Sequence, residues 1–296
     1  EIIEDNYEAM KRWIDYIGAQ NPSYIWTKRV NRNYGDWLQV GANTPKDVMN
    51  TGYYGYDALL MSKIAKAFVN TTDGKIKGDT QTVYVLAIAF EMLPQNLIPL
   101  AANHLVDNIK AHDWHLTTGF VGVGHLCPTL SRMGHSDVAY RLVLQDTYPS
   151  WGYSIRYNAT TIWERWDGWT KDKGFQDPNM NSFNHYSLGS VGRWLYQSVA
   201  GIDTNDDEVG FKSIVIAPKP GGNLYNMTAR YASIRGLIGT SWQTNGANIT
   251  LTVDIPVNTK ASIDLSFLKE PVHANVGSGR YVYQGELAQP FTQLLD

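Results

Sequence analysis

Asp203-Thr204-Asn205-Asp206-Asp207-Glu208 separates two textures of sequence. Six polar or acidic residues in a row read as a linker rather than as part of a packed element. Downstream, short β-type runs recur at 211–217, 227–234, 237–242, 249–255 and 261–267. Alternation is clear in Ile249-Thr250-Leu251-Thr252-Val253-Asp254-Ile255, which puts every apolar side chain on one face of a strand. This region is expected to be an all-β sandwich.

Upstream of the linker the apolar period lengthens from two residues to that of a helix. In residues 1–18, Ile3, Tyr7, Met10, Ile14 and Ile17 form one stripe, and Gly18 is a stop. A long loop rich in Asn, Gly and aromatic residues follows from Asn21 to Thr51. Loops of that length are usually functional. Further stripes occupy 53–69 (Tyr53, Tyr56, Leu60, Ile64, Phe68) and 79–92 (Val83, Leu86, Phe90, with Asp79 as cap). Another follows Pro94 through Leu97, Ala101, Leu105 and Ile109. Shorter helices fit 123–134 and 136–147, and a last one runs from Ser182 to Ala200 with Leu188, Val191, Leu195 and Val199 inward. Asn70-Thr71-Thr72-Asp73-Gly74 is turn chemistry. About seven helices in hairpins, with no strand pattern among them, point to a toroid or a bundle. The expectation is a multi-domain α and β protein, helical over 1–202 and β over 203–296.

At 296 residues the chain can bury a sizeable core. The net charge of -3 gives no reason to expect nucleic acid or an anionic membrane surface as a partner. No apolar run approaches the roughly 20 residues that span a bilayer. Cys127 is the single cysteine, so no intrachain disulfide framework exists. No signal peptide is legible, and Glu1-Ile2-Ile3-Glu4 reads as the inside of a helix, so the natural start is expected further upstream. Asn70, Asn158, Asn226 and Asn248 open Asn-X-Ser/Thr sequons, a pattern that chance also produces in an Asn/Thr-rich chain.

The chemistry concentrates in Asn158-Ala159-Thr160-Thr161-Ile162-Trp163-Glu164-Arg165-Trp166-Asp167-Gly168-Trp169, which holds three of the ten tryptophans. Indole faces stack on the apolar faces of sugars, and carboxylates bind hydroxyls or move protons at a glycosidic bond. Such a stretch describes a small-ligand pocket or a buried aromatic cluster with paired acids. Nine tryptophans precede the β region, so an aromatic pocket belongs to the helical part. Other signals are weaker. His112, His115, His125 and His135 match no metal-ligand spacing, and no metal or cofactor is expected. Gly119-Phe120-Val121-Gly122-Val123-Gly124 follows no strand, so it reads as a turn rather than a phosphate loop. Cys127 beside Pro128 reads as a small buried hydrophobe.

Thr160-Thr161-Ile162-Trp163-Glu164-Arg165-Trp166-Asp167, followed by Met180-Asn181-Ser182-Phe183-Asn184-His185-Tyr186, resembles the bacterial and fungal alpha-L-rhamnosidases of glycoside hydrolase family 78. Tyr34-Gly35-Asp36-Trp37-Leu38, Thr80-Gln81-Thr82, Thr117-Thr118-Gly119-Phe120 and Tyr148-Pro149-Ser150-Trp151-Gly152-Tyr153 resemble that family in its order. So do Gly189-Ser190-Val191-Gly192 and Trp194-Leu195-Tyr196. The resemblance implies an (α/α)6 toroid with a C-terminal β-sandwich, and hydrolysis of terminal alpha-L-rhamnosides with inversion. It places Glu164 as general base and Asp36, Trp37 and His185 at the sugar. Arg165 would position Glu164 or bind a hydroxyl, and Asp167 would do either or cap a turn. Of Trp163 and Trp166, one is expected to stack on sugar and one to belong to the core.

The family's general acid lies in a Cys-Pro-Gln-Arg-rich segment that these residues do not contain. The toroid also needs twelve helices. The chain is therefore expected to be the C-terminal part of a rhamnosidase, an incomplete toroid partnered by a missing N-terminal portion or another copy. Its substrate would be a rhamnoside, as a glycoside or a polysaccharide side chain, and its location secreted or extracellular. The alternatives are another (α/α)6 glycosidase, glucoamylase-like or trehalase-like, and a non-catalytic carbohydrate-binding fragment.

Overall fold

The computed structural model describes residues 13–28, 35–58, 69–205 and 208–289. Ile3, Tyr7 and Met10 of the first stripe, Leu60, Ile64 and Phe68 of the second, Tyr34, and Asp206-Asp207 of the linker lie outside the described residues. The chain divides into two compact units, 1–133 with 142–189, and 134–141 with 190–296. Helices are numbered α1 (residues 13–20), α2 (Lys46–Ala58), α3 (Gln81–Ala89), α4 (Ile98–Ala111), α5 (Phe120–Arg132), α6 (Ser136–Leu144), α7 (Trp151–Arg156) and α8 (Val191–Trp194).

The first unit is built around α3. Its sequence, Gln-Thr-Val-Tyr-Val-Leu-Ala-Ile-Ala, is buried on every side from Gln81 to Ile88. A helix with no polar face has to be surrounded, and α2, α4 and α5 pack on it. Its cap is Thr80, whose side chain accepts from Val83 N, rather than the expected Asp79. Asp79 instead stands at φ +47 and accepts the Tyr84 hydroxyl at 2.6 Å. The buried Gln81 amide is satisfied twice, donating to His115 O (2.9 Å) and accepting from Thr117 N (2.8 Å). In α4 the expected stripe of Leu97, Ala101, Leu105 and Ile109 is buried throughout.

Two readings of the helical part are corrected. Helix α2 starts at Lys46, directly after Pro45, so the loop from Asn21 is shorter than expected. Its buried face is Val48, Met49, Thr51 and Tyr54, while Tyr53 and Tyr56 are exposed. The helix read from Ser182 to Ala200 starts at Ser187 as a 3-10 turn, continues as α8 and ends in a π turn, Leu195–Val199. The wider π turn shifts the register. Trp194 is buried, and Leu195, expected inward, is 42% exposed.

The second unit holds two four-stranded sheets. Strands β1 (Trp169–Thr170) and β2 (Gly174–Phe175) form a small ribbon in the first unit, and β3 (Ile202–Thr204) opens the sandwich. It is followed by β4 (Ser213–Ile216), β5 (Asn226–Ser233), β6 (Gly236–Asn245), β7 (Asn248–Ile255), β8 (Lys260–Leu265), β9 (Val272–Val276) and β10 (Gly279–Glu286). The sheet orders are β10-β7-β6-β5 and β3-β4-β8-β9, antiparallel except for β4 against β8. Alternate residues make the core: Ile249, Leu251, Val253 and Ile255 on β7, Ile214 and Ile216 on β4, Ala261, Ile263 and Leu265 on β8. The ribbon strands β1 and β2 are not read from sequence, since the helical part shows no strand pattern, and in the sandwich β3, β9 and β10 are missed. Of the sandwich strands, β3 overlaps the acidic stretch, and neither β9 nor β10 has a fully buried residue.

The Trp242 indole donates to Val199 O (3.0 Å) and the Thr240 hydroxyl to Ala200 O (2.8 Å), which ties β6 to the end of the π turn. Gly201 follows at φ +74, in the left-handed region, and a Cβ there would lie 2.2 Å from Pro218 N. Gly201→Ala is expected to cost about 2–4 kcal/mol, combining left-handed strain with a backbone overlap. Urea unfolding measures this, and a variant as stable as the parent would contradict the packing described.

Candidate active site

The site is assembled from four segments far apart in sequence, all within the first unit. Asp36 is 3% exposed and sits at the N-terminus of α5. One carboxylate oxygen accepts from the Thr82 hydroxyl and from Gly119 N (3.0 Å). The other accepts from Val121 N (3.1 Å) and Gly122 N (3.3 Å). The first turn of a helix leaves its N–H groups unpaired, and a carboxylate there satisfies them and meets the positive end of the dipole. Burial pushes the Asp36 carboxyl above its ordinary value, against these donors, which pull it down. Gly119 is required at this junction, because a Cβ there would lie 2.0 Å from Trp37 O.

The same junction places the other segments. Phe120 N donates to Trp37 O (2.9 Å), and the Phe120 ring stacks on His185 at 5.0 Å between centroids. The Trp166 indole donates to Thr118 O (3.0 Å), and its ring meets Trp151 edge-on at 5.2 Å. The 158–168 loop is then strapped to the 182–185 segment. Glu164 N donates to Ser182 O (2.8 Å), and His185 N donates to Ile162 O (2.9 Å). His185 thus belongs to an irregular segment before the 3-10 turn, rather than to the first turn of a helix.

Glu164 is half-buried, and its carboxylate accepts from Ser182 N at 2.9 Å. Arg165 does not hold it by a hydrogen bond. The guanidinium is engaged in a two-pronged pair with Asp167, Nε–Oδ1 at 2.9 Å and Nη2–Oδ2 at 3.2 Å. That pair raises Arg165 above its ordinary value, and the Glu164 charge adds to the effect. Nearby, burial and the Asp167 charge push the Tyr148 phenol up to about 12.

Trp163 and Trp166 are both buried, in different surroundings. Trp166 is tied to Thr118 and Trp151. Trp163 meets Phe183 edge-on at 5.2 Å and forms part of the wall of a cleft of about 470 Å³. The described structure therefore brings Glu164, Arg165, Trp163, Trp166 and His185 together, with the Trp37 backbone joined to His185 through Phe120. It turns the Asp36 carboxylate inward to the helix terminus instead of toward a ligand. Sequence reasoning missed Ser182 and Phe120, although both fall in stretches that carried the resemblance.

The histidines between 112 and 135 have separate duties. His112 contacts Asn108 O, His115 contacts Thr147 Oγ1, and the His125 ring packs edge-on against Phe90. Burial pushes the Cys127 thiol up to about 12, far from nucleophilic.

Asp36→Ala is expected to destabilise the chain by about 3 kcal/mol, because three N–H groups of the α5 terminus and the Thr82 hydroxyl lose their acceptor. Chemical denaturation without any sugar present measures this. Unchanged stability would remove the capping role.

The profile of the bacterial alpha-L-rhamnosidase 6 hairpin glycosidase domain matches residues 1–73 and 58–199. That of the bacterial alpha-L-rhamnosidase C-terminal domain matches 201–280. An alpha-L-rhamnosidase of Streptomyces avermitilis is 41% identical over 284 residues, covering 89% of this chain and 27% of its own length. One from Formosa agariphila is 35% identical over 295 residues, covering 89% and 31%. Among solved structures, the Streptomyces avermitilis alpha-L-rhamnosidase complexed with L-rhamnose superposes with a TM-score of 0.87 at 37% identity, covering 96% of this chain and 31% of that one. The native Aspergillus terreus enzyme gives 0.85 at 31% identity, covering 96% and 36%. The chain thus spans about a third or less of the length of these relatives, and it combines helical hairpins and a β-sandwich as they do. With one profile over its helical part and the other over its sandwich, the chain belongs to the bacterial alpha-L-rhamnosidase family.

Proposed function

We propose that this chain supplies the water-activating side of an inverting alpha-L-rhamnosidase, with Glu164 as general base. The observation that carries the reading is the state of the Glu164 carboxylate. It sits where the four segments meet, half-exposed and fixed by one backbone N–H of Ser182, while the neighbouring guanidinium is engaged by Asp167. A base needs a fixed direction and free lone pairs, and both conditions hold here. The relative solved with L-rhamnose supports the sugar as ligand.

Inversion needs water delivered by one carboxylate and a proton delivered to the leaving oxygen by the other. Glu164 would take the proton from a water attacking the anomeric carbon as the glycosidic bond breaks. Asp36 and Asp167 do not suit the acid role, the first saturated by four donors and the second paired with Arg165. The acid is proposed to come from outside these 296 residues. Trp163 would face the sugar, and Trp166 would hold the loop to the core. Trp37 and His185 would complete the rhamnose pocket.

Glu164→Gln in the rhamnosidase that contains this chain is expected to lower kcat roughly a thousandfold, because the attacking water loses its proton acceptor. Hydrolysis of nitrophenyl alpha-L-rhamnoside measures it, and activity within about tenfold of the parent would end the assignment. The 296-residue chain alone is expected to give no robust turnover of the same substrate. Robust turnover would place the acid among these residues. Turnover of another nitrophenyl glycoside in its place would favour a different (α/α)6 glycosidase. Rhamnose binding that never leads to turnover, in any form of the protein, would favour a carbohydrate-binding module.

A further inference from the structure

The second unit holds a cavity of about 430 Å³ that shares no residue with the segments around Glu164. Lys219 and Asp264 are the charged side chains among its described lining residues. Ser136 and Ser266 add hydroxyls, Gln289 an amide and Phe267 a ring. The lysine is fixed through its backbone. It stands between Pro218 and Pro220, whose rings restrict the chain. Its N–H donates to Ser198 O (2.7 Å), and its carbonyl accepts from the Tyr140 hydroxyl (2.8 Å). The turn then closes on the Tyr140 ring, where a Cβ on Gly222 would lie 2.4 Å from a ring carbon. Phe267 is held likewise, its carbonyl accepting from Ala288 N at 2.9 Å. The walls are therefore in place before any ligand arrives.

The two charges divide the recognition. Asp264 Oδ1 accepts from Ser266 N (3.0 Å) and from the Ser266 hydroxyl, and lies 3.4 Å from His273 Nδ1. These contacts all fall on one oxygen and orient the carboxylate, so the second oxygen is the acceptor for a ligand hydroxyl. Burial lowers the Lys219 ammonium below its ordinary value, and the Asp264 charge raises it in part. An ammonium that has given up water gains most from a bound counter-charge. A neutral sugar would gain nothing from that charge. A bare carboxylate such as acetate would meet the negative Asp264 with no hydroxyl to offer it. A ring that carries both a carboxylate and hydroxyls suits the lysine, Asp264 and the serines together, and its apolar C–H face suits Phe267.

We infer that this cavity of the second unit is a binding site for a carboxylated sugar, a uronate, with its carboxylate on Lys219 and its hydroxyls on Asp264 and Ser266. The site takes no part in bond cleavage, and it stands whether or not Glu164 is the base.

The test is calorimetry on the rhamnosidase that contains this chain, with glucuronate, glucose and acetate as separate probes. Glucuronate is expected to bind roughly tenfold tighter than either of the others, the scale of one charge-assisted hydrogen bond. Lys219→Met keeps the length of the side chain and removes its charge. It should bring glucuronate down to the affinity of glucose and leave kcat and KM on nitrophenyl alpha-L-rhamnoside unchanged, which also shows that the variant is folded. Hydrogen exchange of the parent enzyme with glucuronate locates the ligand without any variant, and exchange is expected to slow at residues 217–222 and 264–268. Equal affinity for glucuronate and glucose, a glucuronate affinity that survives Lys219→Met, or slowed exchange only outside those residues overturns the proposal. Acetate binding as tightly as glucuronate overturns it too, since the cavity would then recognise a charge and no sugar. The Glu164→Gln kinetics test the base separately.

Discussion

A buried carboxylate at a helix terminus holds this site together. Asp36 lies on the loop before α2, yet its acceptors go to Thr82 on α3 and to three backbone N–H groups at the start of α5. A single side chain thereby fixes two central helices and one loop of the first unit. The loop's own backbone returns the bond, with Trp37 O receiving Phe120 N. From that point two routes reach the 158–168 segment, one through Thr118 O to Trp166 and one through the Phe120 ring to His185. An irregular loop keeps a defined shape only if its polar groups and rings are tied down in this way. The position of Glu164 is inherited from those ties.

Periodicity revealed what depends on periodicity. The α4 stripe and the alternation in β7 are buried as read, because each element presents one face to one core. Helix α7 escaped notice because six residues show less than two turns of pattern, and its definition comes from the Ser150 cap on Tyr153 N. The 182–200 reading failed because the segment is not one α-helix: it passes from a 3-10 turn through a single α turn to a π turn, with Trp194 inward and Leu195 outward. Strands β9 and β10 alternate between partly buried and exposed residues but have no fully buried side chain, so no strongly apolar face marks them.

The site was legible in its parts and not in its wiring. Resemblance brought Asp36, Trp37, Glu164 and His185 into one group, and the structure joins the segments that carry them. What it could not carry is which groups are consumed by structure. Gly35-Asp36 looks locally like a turn, while the donors that saturate Asp36 lie more than eighty residues away at Gly119, Val121 and Gly122. Arg165 sits next to Glu164 in sequence, and its fork fits Asp167 instead, where two parallel bonds form. Trp163 and Trp166 look equivalent until the Thr118 carbonyl takes the second indole.

The contrast between the two carboxylates separates their uses. Asp36 accepts four hydrogen bonds while almost fully buried, so any further partner would have to displace a helix terminus or Thr82. Glu164 accepts one described hydrogen bond and keeps part of its surface, so its second oxygen retains lone pairs for a ligand. The Arg165–Asp167 pair sharpens the difference. With its fork closed on Asp167, the guanidinium contributes positive charge near Glu164 without occupying its oxygens. A salt bridge directly onto Glu164 would have made it a poorer proton acceptor and blocked the approach of water. Asp167, three residues along from Glu164, therefore keeps the guanidinium off the Glu164 carboxylate.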